Sequence, residues 1–277
     1  MTIWVHGPSA WDSVIEIDSL PKPGDFLRAK NKLERPGGSG LNTAIALASS
    51  DIEVGFITYL GKDAHGELIR NLLKEVNFKY LKIKNSDLPT LHAFILKDKS
   101  GDRTIIALEP TEMDKLGVEV CEINSRDIFV FSVWRPEYKV ILNDLNNKGV
   151  ICVVGLGALE DEEIYAAHAV GSKRDFKNID MDLAKNRFEN IVITDAEKGA
   201  HLYSKSQSIH QKSLAIEVKD ATGAGDSFLA GYVLALAKGL SSQVSLYLAS
   251  AWAASALDYN SSLPPTWSEV KKRWSLQ

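Results

Sequence analysis

Residues Asp220–Phe228 read DATGAGDSF, so that three small residues, Gly223, Ala224 and Gly225, stand directly before an acid, Asp226. Glycine raises the entropic cost of folding, so its concentration here asks for a close-approach reason. Beyond the acid, Leu229, Val233, Leu236 and Leu240 recur at i, i+4, i+7 and i+11, with Phe228 and Tyr232 widening the stripe. That spacing predicts a helix from about Gly225 to near Gly239. The first turn of a helix carries unpaired N–H groups and a partial positive charge. Small residues there let an anion approach the backbone to hydrogen-bond distance. Asp226 then has two readings, an acid complementing the helix dipole or a general base beside a bound phosphate. The second is the arrangement phosphoryl transfer to a hydroxyl requires, because that chemistry is mostly positioning and charge stabilisation.

Other nucleotide motifs fail on inspection. Gly61-Lys62 is followed by Asp63 and is preceded five residues earlier by Phe56, so no G-x-x-x-x-G-K-[ST] loop exists there. GGSGLN and GLGALE each lack the third glycine of G-x-G-x-x-G.

The elements that would position this site alternate. Apolar, β-branched runs at 2–6, 14–17, 53–60, 127–133, 149–155 and 190–195 read as strands. Helical periodicity occupies 41–50 and 63–77, the latter with Leu68, Leu72 and Val76 on one face. Alternation of this kind predicts a mostly parallel sheet covered on both faces. The strands around 14–34, and those at 91–98 and 103–108 flanking KSGD, lie outside it and predict a small antiparallel sheet of their own. With no internal repeat or linker, 1–277 reads as a single domain with a β excursion.

Composition bounds the function. The 277 residues are 45% hydrophobic and 25% charged, with a net charge of −4. There is no basic run or basic-aromatic stripe, which argues against nucleic acid as a partner. No apolar stretch reaches the roughly 18 residues of a membrane span, and the N-terminus lacks the pattern of a signal peptide. Cys121 and Cys152 have neither disulfide nor metal-ligand spacing and read as buried thiols, so a cytoplasmic protein is expected. His6, His65, His92, His168, His201 and His210 share no spacing and read as structural or exposed.

DATGAGDSFLAG resembles the C-terminal signature of the ribokinase-like (PfkB) carbohydrate kinases, and the likeness extends along nearly the whole chain. PGGSGLNTAIALA (36–48) is similar to the family's N-terminal signature and VGFITYLGKDAHGE (54–67) to the segment that follows it. GDRTI (101–105) looks like a lid strand, VITDAEKGAHLY (192–203) a nucleotide-side strand pair, and ASAWAASALDYNSSLPP (249–265) the helix and loop bordering adenine. The resemblance implies a three-layer α/β/α fold with a small antiparallel β lid, contributed by about 12–34 and 88–109. It implies ATP with Mg2+, a monovalent cation being left open, and transfer of the γ-phosphate to a sugar, nucleoside or similar alcohol. Asp226 takes the base position, with Gly223, Ala224 and Gly225 as the anion hole. Asp12, Gly37, Gly38 and Asn42 match the substrate side, where Arg103 on the lid and Trp134 would also reach. Thr194, Ala196, Gly199, Thr222, Gly223, Gly225, Ala254 and Asn260 fall on the nucleotide side. Exposed lid edges make a homodimer through the lid the expected assembly.

The departures concern the substrate and the metal. The family's N-x-x-E element falls at Ser172–Asp175, where Ser replaces Asn and Asp replaces Glu, leaving Asp175 as an indirect metal contact or S-x-x-D as a capping pattern. Ala196 stands where the family has a glycine, which fits only a negative φ. Ser39 replaces a lysine found in some sugar kinases. Trp134 replaces a substrate-binding acid of ribokinases proper, which disfavours ribose and leaves a stacking platform or a core residue. Three functions follow: a sugar kinase, a nucleoside kinase, or a silent ligand-binding relative.

Overall fold

A computed structural model describes residues 1–99, 103–108, 122–175, 179–259 and 263–276. Strand β1 (Thr2–His6) shows how the architecture arises. Ile3 and Val5 point into one apolar layer and Trp4 into the other, all with no exposed surface. A strand buried on both faces must be covered on both, and it is. Its neighbours are β4 (Glu53–Gly61) and β8 (Ile128–Phe131), both parallel to it.

Outward from β4 lies β5 (Tyr80–Ser86). Outward from β8 come β9 (Ile151–Gly155), β10 (Ala166–Ser172) and β11 (Phe188–Thr194), all parallel, then β12 (Ala200–Tyr203) and β13 (Ser208–Gln211), which turn antiparallel. Among the described residues the order is β13-β12-β11-β10-β9-β8-β1-β4-β5. One face packs against α1 (Ser39–Ala48), α2 (Ala64–Lys74), α5 (Ala224–Ala237), α6 (Ser242–Leu257) and α7 (Trp267–Trp274). The other packs against α3 (Lys139–Asn147) and α4 (Met181–Arg187). Cys152 is a buried free thiol on this second face, whereas Cys121 lies outside the described residues.

The smaller sheet orders β3-β2-β6-β7, from β2 (Ala10–Glu16), β3 (Asn31–Gly37), β6 (Leu91–Lys97) and β7 (Arg103–Leu108). It is built from the two antiparallel pairs expected, β2–β3 and β6–β7, which join through parallel pairing of β2 with β6. Asp12 thereby stands opposite Arg35 on one side and Ala93 on the other.

The helix predicted after the glycine-rich turn runs Ala224–Ala237 and starts one residue earlier than expected. Gly223 caps it at φ 77°, a left-handed conformation that glycine adopts without steric cost. Periodicity missed β10 and β13, where His, Gly and Ser interrupt the apolar residues, and β5, whose Leu81 and Ile83 alternate with Lys82 and Lys84 over only four residues. No helix of the described residues is long and apolar enough to cross a membrane.

Candidate active site

The parallel strands end at one rim of the large sheet, the usual ligand edge of such folds, and the small sheet brings Asp12 to the same cleft as the head of α5. Asp12, Arg35, Asn42, Asp220, Thr222, Gly223 and Ser227 line this cleft, with Ala256, Tyr259 and residues 263–265 on its far wall. Ser227 Oγ is buried in it without a hydrogen-bond partner.

Asp226, half-buried in the first turn of α5, is held by Asn42, whose Nδ2 donates to Oδ2 at 2.8 Å. Asn42 itself is fixed because α1 begins where the backbone of Gly40 lies directly on Gly7. A Cβ at position 40 would meet Gly7 C at 2.4 Å. Burial pushes the Asp226 carboxyl up to about 6, against the Asn42 hydrogen bond and the Arg103 charge, which favour the ionised form. A carboxylate poised near neutrality is suited to accept a proton at physiological pH. Around Gly225 the space that a Cβ would take is open.

Asp12 is buried, and burial likewise raises it to about 6, with Arg35 favouring its charge and Asp226 opposing it. Gly37 is glycine for a visible reason, since its Cβ would lie 2.1 Å from Asp12 Oδ2. Gly38, at φ 97°, turns the chain from β3 into α1, with its Cβ position blocked by Pro8 O at 2.6 Å. Arg103 falls on the face of the small sheet that carries Asp12, by the period of two along paired strands.

Asp220 was not singled out by the sequence reading, yet it organises the loop. Its Oδ1 accepts from the Thr222 N–H at 2.8 Å, an Asx-type turn that feeds Gly223. Burial would raise Asp220, but Thr222, Arg35 and Lys97 outweigh it and hold the carboxyl below its usual range. Arg35 was missed too, because its place opposite Asp12 depends on a strand register that no local pattern reveals.

Other expected residues are distributed differently. Trp134 packs edge-on against Phe131 and Tyr138, half-buried in the apolar layer rather than in the Asp226 cleft. Ala254 is buried inside α6, and Ala256 is the alanine that lines the cleft. Asn260 lies outside the described residues, as do Gly101 and Asp102 of the GDRTI segment.

At the β10 and β11 ends, Thr194 pairs with Ser172, and its hydroxyl donates to Gly171 O. Ala196 corrects the expectation of a negative φ, because it sits at 46°, in the left-handed region despite its Cβ. The turn closes through Gly199 N to Ala196 O at 3.0 Å, with Gly199 at φ 92°, and this enforces the strained conformation. Asp175 Oδ2 accepts from the Ser172 N–H at 2.6 Å and Ser172 Oγ accepts from the Arg174 N–H, so S-x-x-D acts as a cap on a single 3-10 turn.

A family model described as pfkB family carbohydrate kinase matches residues 10–150 and 159–268. A ribokinase of Arabidopsis thaliana is 26% identical, covering 94% of this chain and 77% of its own length. Among solved structures, a Thermotoga maritima ribokinase superposes with a TM-score of 0.80 at 21% identity, covering 99% of both chains. A Methanocaldococcus jannaschii nucleoside kinase does so at 0.78 and 20%, covering all of this chain and 98% of its own.

Proposed function

The chain belongs to the pfkB family of carbohydrate kinases, and on that premise we propose that it moves the γ-phosphate of ATP to a hydroxyl of a sugar or sugar-derived alcohol, with Asp226 as general base. The observation that carries this reading is Asp226 itself: a carboxylate braced by Asn42 at 2.8 Å, raised to about 6, in the first turn of a helix capped by a left-handed glycine. In the transfer, Asp226 removes the proton of the attacking hydroxyl while Asn42 fixes the orientation of its carboxylate. The first-turn amides of α5 face the phosphoryl oxygens, with Gly223, Ala224 and Gly225 keeping the approach clear. Asp12, at the base of the small sheet, accepts hydrogen bonds from substrate hydroxyls.

Among the described residues no group of three His, Cys, Asp or Glu could hold a metal. Mg2+ carried in on the nucleotide phosphates would neutralise charge there. Asp175, its Oδ2 engaged by the Ser172 amide, would reach such an ion only through water.

ADP release with ATP and Mg2+ over a panel of sugars and nucleosides tests the reading. Turnover on one acceptor should fall at least ~10²-fold in Asp226→Asn. Turnover indifferent to that change removes Asp226 from the mechanism, and turnover on nucleosides alone replaces the sugar. A homodimer through the lid is also inferred, since among the described residues β3 and β7 are the sheet's outer strands and bear the exposed Leu33, Ile105 and Ile106. Light scattering giving only the 30.5 kDa species would end that inference.

A further inference from the structure

A buried arginine in this molecule has a job that the reaction as drawn above does not use. Arg35, on β3, has a side chain only 10% exposed, and a guanidinium at that depth must be paired. Its Nη1 lies 3.5 Å from Asp220 Oδ2. Lys97, on β6, brings Nζ to within 3.8 Å of the same oxygen, and donates to the backbone carbonyl of Lys219 at 3.1 Å. The two oxygens of Asp220 are thus divided. Oδ1 shapes the turn at Thr222 that leads into Gly223, and Oδ2 receives two cations from the small sheet. From the other side, the amides of Lys219 and Asp220 both donate to Leu257 O at the end of α6. The loop therefore has a fixed anchor on α6 and a second one on the lid.

Resting on the proposed base and anion hole, we propose that Arg35, assisted by Lys97, is a positioning residue for phosphoryl transfer, locking the lid strands that flank Asp12 to the loop that presents the 223–225 amides. Asp12 belongs to the small sheet and the amides to the turn that opens α5, so their mutual distance depends on the contacts that join the two. Arg35 stands directly across from Asp12 in the β2–β3 ladder. Whatever fixes Arg35 on Asp220 therefore fixes the substrate acid relative to the phosphate site. Misplacement of reacting groups by about 1 Å can cost on the order of 10²-fold in rate.

The test is a double-mutant cycle in the full chain between Arg35→Gln and Asp220→Asn, read as kcat and as KM for ATP and for the acceptor. Arg35→Gln should lower kcat per folded molecule at least ~10-fold, as misplaced reacting groups predict, and raise the acceptor KM while the ATP KM stays within about threefold. A loss of folded protein alone would lower apparent kcat only in proportion to the folded fraction read by circular dichroism, and an unchanged kcat per folded molecule overturns the proposal. The double variant should be no worse than about the poorer single, since coupled groups do not add. Effects that multiply would mean that the two residues act separately.

Should Arg35→Gln fail to fold, Lys97→Gln removes the more exposed leg, and a roughly threefold or larger rise in acceptor KM is expected; no change overturns the latch. Hydrogen exchange at residues 219–223 gives a readout independent of turnover. Those amides should exchange faster in either lid variant, relative to the α6 amides. Unchanged exchange overturns the latch even if no acceptor in the panel is phosphorylated, an outcome that would instead count against the kinase reading.

Discussion

Asn42→Ala isolates the tuning of the base. The substitution removes the 2.8 Å hydrogen bond to Asp226 Oδ2 and leaves the burial that raises the carboxyl in place. A hydrogen bond to a charged group contributes about 1.5–3 kcal/mol. Water entering the vacated space restores part of this, so a net loss near 1.4 kcal/mol, or about one pH unit, is the working figure. The base must be ionised to act, so activity is lost as pH falls through its pKa. Raising that pKa moves the acid limb of kcat/KM from about 6 to about 7. At pH 6 the ionised fraction drops from about one half to about one tenth, which gives a roughly fivefold loss that closes above about pH 8.5.

Asp12 titrates in the same region, facing Arg35 and Asp226. Its contacts are untouched by the change, so the moving part of the limb belongs to Asp226. The assay is ADP release from pH 5 to 9 for both proteins at subsaturating acceptor. A uniform loss at every pH, with the limb unmoved, would refute the claim that Asn42 tunes the base. A wild-type limb at the ordinary carboxylate value of about 4 would refute the role of burial as well.

Three further outcomes are expected. Asp226→Asn should melt a few degrees higher at pH 7.5. A carboxylate raised to about 6 is a charge the fold would rather not hold, and the fully buried limit of that penalty is about 3 kcal/mol, less at a half-buried side chain. Ala196→Gly should stabilise by about 1 kcal/mol in urea titrations, because the alanine holds φ 46° where a Cβ is strained. His6→Phe should gain on wild type as pH falls. Burial and Lys84 hold His6 down at about 3, so the unfolded chain binds its proton first and stability drains away below about 6.5. The gap should widen by about 2 kcal/mol between pH 7.5 and 5, and parallel pH curves would show that His6 is not the group responsible.

Much of this was legible in the sequence for identifiable reasons. The Gly223–Asp226 turn and its helix could be read because glycine, an acid and a 3.6-residue apolar period are local signals. The buried strands β1, β4 and β9 announced themselves as unbroken apolar runs. What could not be read were relations between distant segments. Arg35 facing Asp12, and Asp220 receiving both Arg35 and Lys97, depend on a ladder register and on how one sheet leans over another. Asn42 could be placed on the substrate side from its motif, but that its Nδ2 also donates to Asp226 is a relation only packing reveals. Ala196 went the other way. The expectation from its side chain was sound chemistry, and the closure of its turn at Gly199 overrode it.

The bond between Asn42 and Asp226 spans 184 residues of chain. During synthesis, therefore, Asn42 and Asp12 leave the ribosome well before Asp226, the proposed base, by roughly 10–40 s at ordinary elongation rates. Throughout that interval the nascent chain can assemble β1, β4 and β5 side by side and still have no chemistry. A shortened chain, however well ordered its strands, would be in the same condition. Turnover is consequently the last property this protein acquires. In refolding, returning activity counts the molecules that have closed this 184-residue loop, while returning ellipticity counts only those that have formed helices and strands.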